Sequence, residues 1–264
     1  MCASRLCQGT LISHSRTLVG GRDLLYCGRL IRIWLGRLDD DELHLEHSLG
    51  YYFTPLSLLA APGSSMIRII LLDLDDVLNT LAPCVLNAVG CPVAPDHYGG
   101  YPGEFGYAVQ DVANHMLGSK YTRDSFWLKI SQHTWATVPK SDFCDWLIEA
   151  SRLKVGEENV YIATKPTNEP LCAAGKMEWI RECCPPWLHR QFFITPCKHL
   201  LARTDALLID DHPENIRQFR SRGGHAILVP RPWNALNECD PKTHINVSLT
   251  EHFDDDPYDR GTKV

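Results

Sequence analysis

The sequence of 264 residues lacks several features that would assign a function class at once. It has no uninterrupted apolar run of about 18 residues, so we expect no membrane-spanning helix. No internal repeat is visible. Positive charge is scarce: the formal net charge of −6 argues against a protein that coats a nucleic-acid polymer. The sequence does not indicate an oligomeric state.

The 11 cysteines lack the spacing of a disulfide framework or a zinc site. There is no Cys-x-x-Cys pair, and Cys183 and Cys184 are adjacent. No Cys/His spacing matches a known zinc ligand set. These patterns favour a reducing, cytosol-like compartment, so we predict a cytoplasmic location.

Residues 1–65 contain six Arg but no Lys, unlike the remainder of the chain. We expect a disordered leader, and three interpretations stay open. Met66 is the true start, or the Arg-rich segment is a transit peptide for organellar import, or it is an ordered accessory segment. The residues Pro62-Gly63-Ser64-Ser65 make a plausible boundary under all three interpretations.

An apolar run at residues 67–72 is followed abruptly by Asp73, Asp75 and Asp76. The run is β-branched and leucine-rich, which is typical of a strand that is buried on both faces. Carboxylates at the end of such a strand cost solvation free energy unless a cation or hydrogen-bond donors wait there. In open parallel sheets, ligands bind at the carboxyl ends of strands. The stretch therefore predicts a strand that leads into an active site.

Further short apolar runs alternate with helical patterns. Alternation of this kind predicts an α/β fold with a parallel, doubly wound sheet. Residues 234–264 are polar, and we expect a loosely packed tail in which residues 245–249 form an edge strand. The additional predicted strands are residues 160–164, 192–195, 206–211 and 225–229, and the predicted helices are 105–118, 124–133, 141–153, 168–183 and 213–222.

Four short motifs stand at or beside the predicted strand ends in a fixed order. Asp73-x-Asp75-x-Val77-Leu78 follows the first strand, Thr164 ends the second, Lys198 lies between the third and fourth, and Asp210-Asp211 ends the fourth. Over residues 67–231 this arrangement resembles the haloacid dehalogenase-like (HAD) superfamily. The resemblance implies a HAD-like Rossmannoid core made of residues 66–79 and 159–233.

The resemblance implies phosphoryl-transfer chemistry with Mg²⁺, which takes hard oxygen ligands and offsets the repulsion between a carboxylate and a phosphate dianion. Asp73 would be the nucleophile and Asp75 the general acid and base. Thr164 and Lys198 would stabilise the transferring oxygens. The implied metal site consists of Asp73, the backbone carbonyl of Asp75, Asp210, and Asp211 through a water.

The assignment of the phosphate-binding residues has alternatives. Lys176, on the helix after Thr164, is an alternative to Lys198 for phosphate binding. Lys165 could point either to the site or to solvent. Thr164 could instead cap the next helix, Lys198 could be a surface lysine, and Asp210-Asp211 could be a turn. We assign substrate binding to Thr164, Lys165, Lys176 and Lys198.

Motif spacing predicts a large insertion between the first two motifs. Asp73 and Thr164 are 91 residues apart, whereas Thr164 and Lys198 are 34 apart. The resemblance implies that residues 80–158 form a helical C1-type cap, which closes over small substrates and excludes water. Most of its aromatic residues would form the cap core, while one or two could stack on a base or sugar. They are Tyr98, Tyr101, Phe105, Tyr107, Tyr121, Phe126, Trp127 and Trp135.

Within the superfamily the sequence is most similar to the 5′(3′)-deoxyribonucleotidase-like branch. The supporting pieces are Asp73-x-Asp75-x-Val77-Leu78, Phe126-Trp127, Thr164-Lys165-Pro166, Lys176-x-x-Trp179-Ile180 and residues 207–213. It departs from that branch at Asp76, where Gly is frequent, and at Lys165, where Ser is common.

The expected function is that of a Mg²⁺-dependent phosphomonoesterase on a small phosphorylated substrate, with a 5′-nucleotide as the candidate. Two alternatives stay open: a phosphotransferase of the same superfamily, and a non-catalytic phosphate-binding regulatory domain. The resemblance speaks against haloacid dehalogenation, because that chemistry does not need the second acid at Asp75.

A protein that begins at Met66 should fold and keep its activity, because residues 1–65 supply no motif and precede the first predicted strand. Circular dichroism and a phosphatase assay on the shortened protein would check this. An insoluble or inactive product would show that residues 1–65 belong to the fold.

Overall fold

The computed structural model describes residues 24–26, 29–31 and 66–254. Two short strands, β1 (Leu24–Tyr26) and β2 (Arg29–Ile31), pair in an antiparallel fashion by themselves. The other residues up to 65, and with them the interpretations of the leader, lie outside the described residues. Among the described helices, none combines the length and the apolar character that crossing a membrane requires.

A five-stranded parallel sheet forms the centre of residues 66–254, in the order β5-β4-β3-β6-β7. Successive side chains of a strand point to opposite faces of the sheet. Both faces are buried, because each carries its own apolar cluster. Ile70 and Leu72 belong to one apolar cluster, while Leu71 belongs to a second with Ile216 and Phe219. The strands are β3 (Ile69–Leu72), β4 (Val160–Thr164), β5 (Phe192–Ile194), β6 (Ala206–Asp210) and β7 (His225–Leu228).

Eight α-helices connect these strands or follow them among the described residues. The α/β class and the parallel, doubly wound sheet are confirmed. The helices are α1 (Leu81–Ala88), α2 (Val109–Leu117), α3 (Arg123–Trp127), α4 (Gln132–Ala136), α5 (Cys144–Val155), α6 (Pro170–Cys183), α7 (Pro213–Ser221) and α8 (Pro241–Asp254).

The predicted edge strand at residues 245–249 is wrong, because this stretch lies within α8. Ile245 and Leu249 are four residues apart, so a helix places both on one face, and both are fully buried. α8 contacts β7, so residues 241–253 are packed on the core rather than forming the predicted loose tail.

The segment inserted between β3 and β4 leaves and rejoins the core at neighbouring points. Asn79 and Lys140 form an isolated antiparallel bridge, the Thr80 N–H donates to the Pro139 carbonyl (3.0 Å), and the Ser141 N–H donates to the Leu78 carbonyl (3.0 Å). Helices α1–α4 lie between these points. α5 is within the predicted cap range of residues 80–158, but it contacts β3 and β4 and so packs on the sheet. The role of the insert as a cap stays a prediction.

The insert packs tightly on the core where α4 meets α6. Gly175 makes the close approach possible: a Cβ atom there would lie 2.3 Å from the Trp135 Cβ and 2.7 Å from the Gln132 carbonyl oxygen. Gly175 precedes Lys176 in α6, so this helix contact also fixes the position of one of the predicted site residues.

Candidate active site

The strand order places the predicted acids at one point of the sheet. From β3 the chain proceeds to β4 and β5 on one side, and then crosses to β6 and β7 on the other. Such a reversal leaves a crevice at the carboxyl ends of the two strands where it occurs, here β3 and β6. Leu72 pairs with Ile209 in register, and therefore Asp73 and Asp210 emerge side by side.

Lys198 joins the acids of the two strands. Its ammonium lies 2.6 Å from the Asp73 Oδ2 and 2.7 Å from the Asp210 Oδ2, and all three side chains are buried. The Asp73 Oδ1 also accepts a hydrogen bond from the Leu74 N–H at 2.7 Å. Burial raises the pKa of Asp73 to about 8, against the opposing effect of the Lys198 charge. The alternative of Lys198 as a surface lysine is excluded by its burial.

Asp210 is held as an anion by several donors. Burial would raise its pKa, but the charge and hydrogen bond of Lys198, together with hydrogen bonds from Asn215 and the His212 N–H, lower it. The Asn215 amide donates to both carboxylate oxygens, at 2.9 and 3.0 Å. Lys165 donates to the Asn215 Oδ1 at 2.5 Å, so its side chain points towards the site rather than away from it.

Asp75 has a lysine of its own. The Lys176 ammonium lies 2.5 Å from the Asp75 Oδ2 and also donates to the Thr164 Oγ1 (2.8 Å) and to the Lys165 carbonyl. The Thr164 hydroxyl donates to the same Asp75 oxygen at 3.4 Å. The other carboxylate oxygen of Asp75, Oδ1, is buried and has no hydrogen-bond partner among the described residues. Lys176 and Thr164 thus fix Oδ2 of Asp75 and leave Oδ1 without a partner among the described residues.

Asp211 is fixed by a loop after β7. The Trp233 indole N–H donates to the Asp211 Oδ2 at 2.9 Å, and the Asn234 amide donates to the Asp211 carbonyl at 3.0 Å. Burial, followed by the charges of the neighbouring carboxylates, raises the pKa of Asp211 well above its usual range.

Asp76 occupies a backbone position that favours glycine, with φ at 57°. An aspartate tolerates this conformation better than most residues, and its side chain hydrogen-bonds locally. The Asp76 Oδ1 accepts from the Ala82 N–H (2.8 Å) and from the Tyr98 hydroxyl (2.9 Å), while Arg231 Nε donates to the Asp76 carbonyl (2.6 Å). Burial raises the pKa of Asp76 to about 7. The departure from Gly therefore adds side-chain hydrogen bonds at this turn.

A cleft opens beside these acids, between the core and the insert. Three of the eight aromatic residues singled out in the sequence line it, and Trp127 stacks on Trp135 with ring centroids 5.4 Å apart. The core side of the cleft includes Asp73, Asp75, Lys165, Lys198, Asp211 and His212. The insert side includes Leu81, Tyr107, Arg123, Trp127 and Trp135.

The carboxylates form a donor set that suits a hard divalent cation. One ligand atom each from Asp73, Asp210 and Asp211 lie within 4.8 Å of one another, and all three residues are buried. Once all three are deprotonated, these carboxylates outnumber the single ammonium of Lys198 and leave an excess of negative charge. Oxygen-only ligands in excess of local positive charge are what Mg²⁺ and similar ions bind. The cluster can therefore hold a metal ion.

The structure brings together every residue that the sequence predicts for the site, but Thr164, Lys176 and the fully buried Asp210 are not among the residues that line the cleft. Thr164 and Lys176 contact Asp75 instead of the cleft. Their role in substrate binding stays a prediction. Asn215, Trp233 and Arg231 are additional contacts of the acids that the sequence analysis missed. Asn215 follows Asp211 within one helical turn, which is the only signal that could have indicated it.

The raised pKa values predict how stability depends on pH without metal. The folded chain keeps protons on Asp73, Asp76 and Asp211 at pH values where the unfolded chain, with Asp near 3.9, has lost them. The free energy of unfolding in EDTA should therefore fall as the pH rises from 6.5 to about 8. His212 and His252 have lowered pKa values that act in the opposite direction, and they contribute mainly below pH 6.5.

Urea unfolding at several pH values would measure this slope. Asp73→Asn should flatten it and should make the metal-free protein more stable at pH 8, while added Mg²⁺ should stabilise the wild type there. Stability that rises with pH over this range would contradict the prediction.

The family comparison matches the second half of the fold. Residues 147–243 match the family described as 5′ nucleotidase, deoxy (Pyrimidine), cytosolic type C protein. This range contains Thr164, Lys176, Lys198 and the pair Asp210-Asp211. No curated protein matches the chain in sequence.

Solved structures with a similar backbone include several HAD-family proteins. A HAD family hydrolase from Deinococcus radiodurans with bound phosphate and sodium has 12% identity and a TM-score of 0.46, covering 71% of this chain and 97% of that one. The putative HAD-hydrolase YfnB from Bacillus subtilis, bound to magnesium, has 14% identity and a TM-score of 0.46, covering 71% and 99%. Alignments at this level transfer neither substrate nor metal to this chain.

The order of the motifs and the parallel α/β fold agree with the family match. Together they confirm the predicted resemblance over residues 147–243, which are similar to the deoxy-5′-nucleotidase family.

Proposed function

We propose that the protein is a Mg²⁺-dependent phosphomonoesterase that acts through an aspartyl-phosphate on a small phosphate ester, with 5′-nucleotides as the substrate class. One observation carries this proposal. Asp73 and Asp75, two residues apart at the end of β3, both line the cleft, with Lys198 and Asp211 of the neighbouring strand connections beside them.

Mg²⁺ would be held by the carboxylates of Asp73 and Asp210, by the backbone carbonyl of Asp75, and by Asp211 through a water. When bound, it supplies positive charge that reduces the repulsion between the Asp73 carboxylate and a phosphate dianion. The cluster of three carboxylate oxygens within 4.8 Å of one another supports this assignment.

In the first step, a carboxylate oxygen of Asp73 attacks phosphorus, so that an Asp73 O–P bond forms as the ester P–O bond breaks. Asp75 gives a proton to the departing ester oxygen. In the second step, water attacks the same phosphorus, Asp75 takes the proton of that water, and inorganic phosphate leaves with Asp73 restored. Lys198, which contacts Asp73 directly, stabilises negative charge on the transferring oxygens.

The geometry around Asp75 supports its role in moving the proton. Lys176 and Thr164 occupy Oδ2, whereas Oδ1 has no partner among the described residues. A carboxylate that is anchored through one oxygen keeps the other in a fixed direction for proton transfer. Thr164 and Lys176 therefore act through Asp75, and Lys165, which lines the cleft, would contact the phosphate.

Nucleotides are supported by the family match and by the walls of the cleft. Trp127 stacks on Trp135, and Tyr107 lines the same cleft, so a planar base would find aromatic surface beside the phosphate position. Arg123, in the first turn of α3, lies on the same side and offers hydrogen-bond donors to polar atoms of the leaving group.

Hydrolysis of a panel of nucleoside monophosphates and other phosphate esters, with Mg²⁺ or with EDTA, tests the reaction. Asp73→Asn should reduce activity to background because it removes the nucleophile. Asp75→Asn should cost about 10²–10⁴-fold, the usual range for lost acid–base help. With an aryl phosphate, whose leaving group needs little protonation, the Asp75→Asn protein should accumulate phosphorylated Asp73.

Mass spectrometry after an acid quench would detect that phosphoryl group on the peptide containing Asp73. Wild-type rates for Asp73→Asn, or phosphate on a different residue, would rule the mechanism out. Unchanged activity in EDTA would rule out the metal requirement alone.

Trp127→Ala should lower the preference for nucleotides over a ring-free ester such as glycerol phosphate. Stacking on a base contributes about 1–3 kcal/mol, so the ratio of the two kcat/KM values should fall about tenfold. Trp127→Phe, which keeps an aromatic face, is the matched control. If both esters lost activity equally, Trp127 would support the fold of the insert rather than bind the base.

A further inference from the structure

Trp233 joins the metal-binding acids to the inserted segment. Its indole N–H donates to the Asp211 Oδ2 at 2.9 Å, and Asn234 ties the same loop to the Asp211 carbonyl (3.0 Å) and to the Val229 carbonyl (2.8 Å). Asp211 is 3% exposed, so the indole supplies a hydrogen bond to a carboxylate that has little access to water. A hydrogen bond to a buried carboxylate fixes which oxygen faces the cleft.

Three tyrosines of the insert surround the Trp233 ring. Tyr98, Tyr101 and Tyr107 contact it edge-on, with centroids 5.6, 5.0 and 5.2 Å from that of Trp233. The backbone of the insert also approaches the loop closely, since a Cβ atom on Gly103 would lie 2.2 Å from the Pro232 carbonyl oxygen. The orientation of the indole is therefore set by residues 98–107.

We propose that Trp233 is a positioning residue for Asp211, and that through it the packing of the inserted segment sets the affinity of the metal site. This inference rests on the metal assignment of the proposed function and adds a residue to which no motif points. Loss of an outer hydrogen bond to a metal-binding group typically costs 10–100-fold in metal affinity.

Calorimetric titration of the full chain with Mg²⁺ tests the inference, with urea unfolding in parallel. Trp233→Phe keeps a ring for the tyrosines but removes the N–H, and Mg²⁺ binding should weaken about tenfold or more. Trp179→Phe is the matched control. The buried Trp179 N–H donates to the Val138 carbonyl at 2.7 Å, so this variant also loses an indole hydrogen bond, but one to a backbone carbonyl rather than to one of the acids. That variant should lose stability but keep its Mg²⁺ affinity.

A second pair of variants tests the contribution of the insert without touching Trp233. Tyr101 packs on the indole but is not among the residues that line the cleft. Tyr101→Leu, which removes the ring, should weaken Mg²⁺ binding about threefold or more, within the range by which packed neighbours modulate a distant site. Tyr101→Phe keeps the ring and loses only the hydrogen bond to the Gly106 carbonyl, so its Mg²⁺ affinity should match the wild type.

Mg²⁺ affinity within twofold of the wild type for Trp233→Phe would overturn the inference, as would equal weakening in Trp179→Phe. Equal behaviour of Tyr101→Leu and Tyr101→Phe would overturn the link to the insert. If the wild type itself failed to bind Mg²⁺, the metal assignment of the proposed function would fall and this inference with it. If the wild type and Trp233→Phe bound Mg²⁺ equally well, only this inference would fall and the metal assignment would stand.

Discussion

The repulsion among buried carboxylates at one edge of the sheet is the constraint that organises this molecule. Asp73, Asp76, Asp210 and Asp211 are each at most 5% exposed, and unit charges a few ångströms apart interact strongly where water is excluded. The buried ammonium of Lys198 opposes this repulsion between β3 and β6. Asn215, Trp233, Tyr98 and backbone N–H groups supply further donors. Because burying these carboxylates together costs free energy, a bound cation would stabilise the site.

Two lysines divide the acids into groups with different environments. Lys198 contacts the acids that can hold a metal, whereas Lys176 contacts Asp75, which the metal cluster does not include. Two carboxylates two residues apart can thus take different roles, one as a nucleophile beside a metal and one as a proton carrier. The tight contact of α4 on α6 at Gly175 fixes the helix that carries Lys176, so the insert supports this division as well.

The fold and the acids followed from the sequence because both depend on short-range patterns. Apolar runs ending in Asp73, Thr164 and Asp210 indicated parallel strands and their functional ends directly. The failures concern tertiary context. In α8, Ile245 and Leu249 fit a strand or a helix, and only packing on β7 decides between them. Trp233 and Arg231 contact the site from a loop about 155 residues beyond Asp76 in the chain, a relation that no local pattern encodes.

The adjacent ends of the inserted segment have a consequence for how such a protein can change over evolutionary time. Asn79 and Lys140 are bridged, and Thr80 and Ser141 are hydrogen-bonded across the same junction, so the core is closed whatever lies between these residues. Loop length adds only slowly to the entropy of closing a chain. Natural variation could therefore lengthen, shorten or replace the segment as a module, and each replacement would bring the acids both new cleft walls and new packing partners for Trp233.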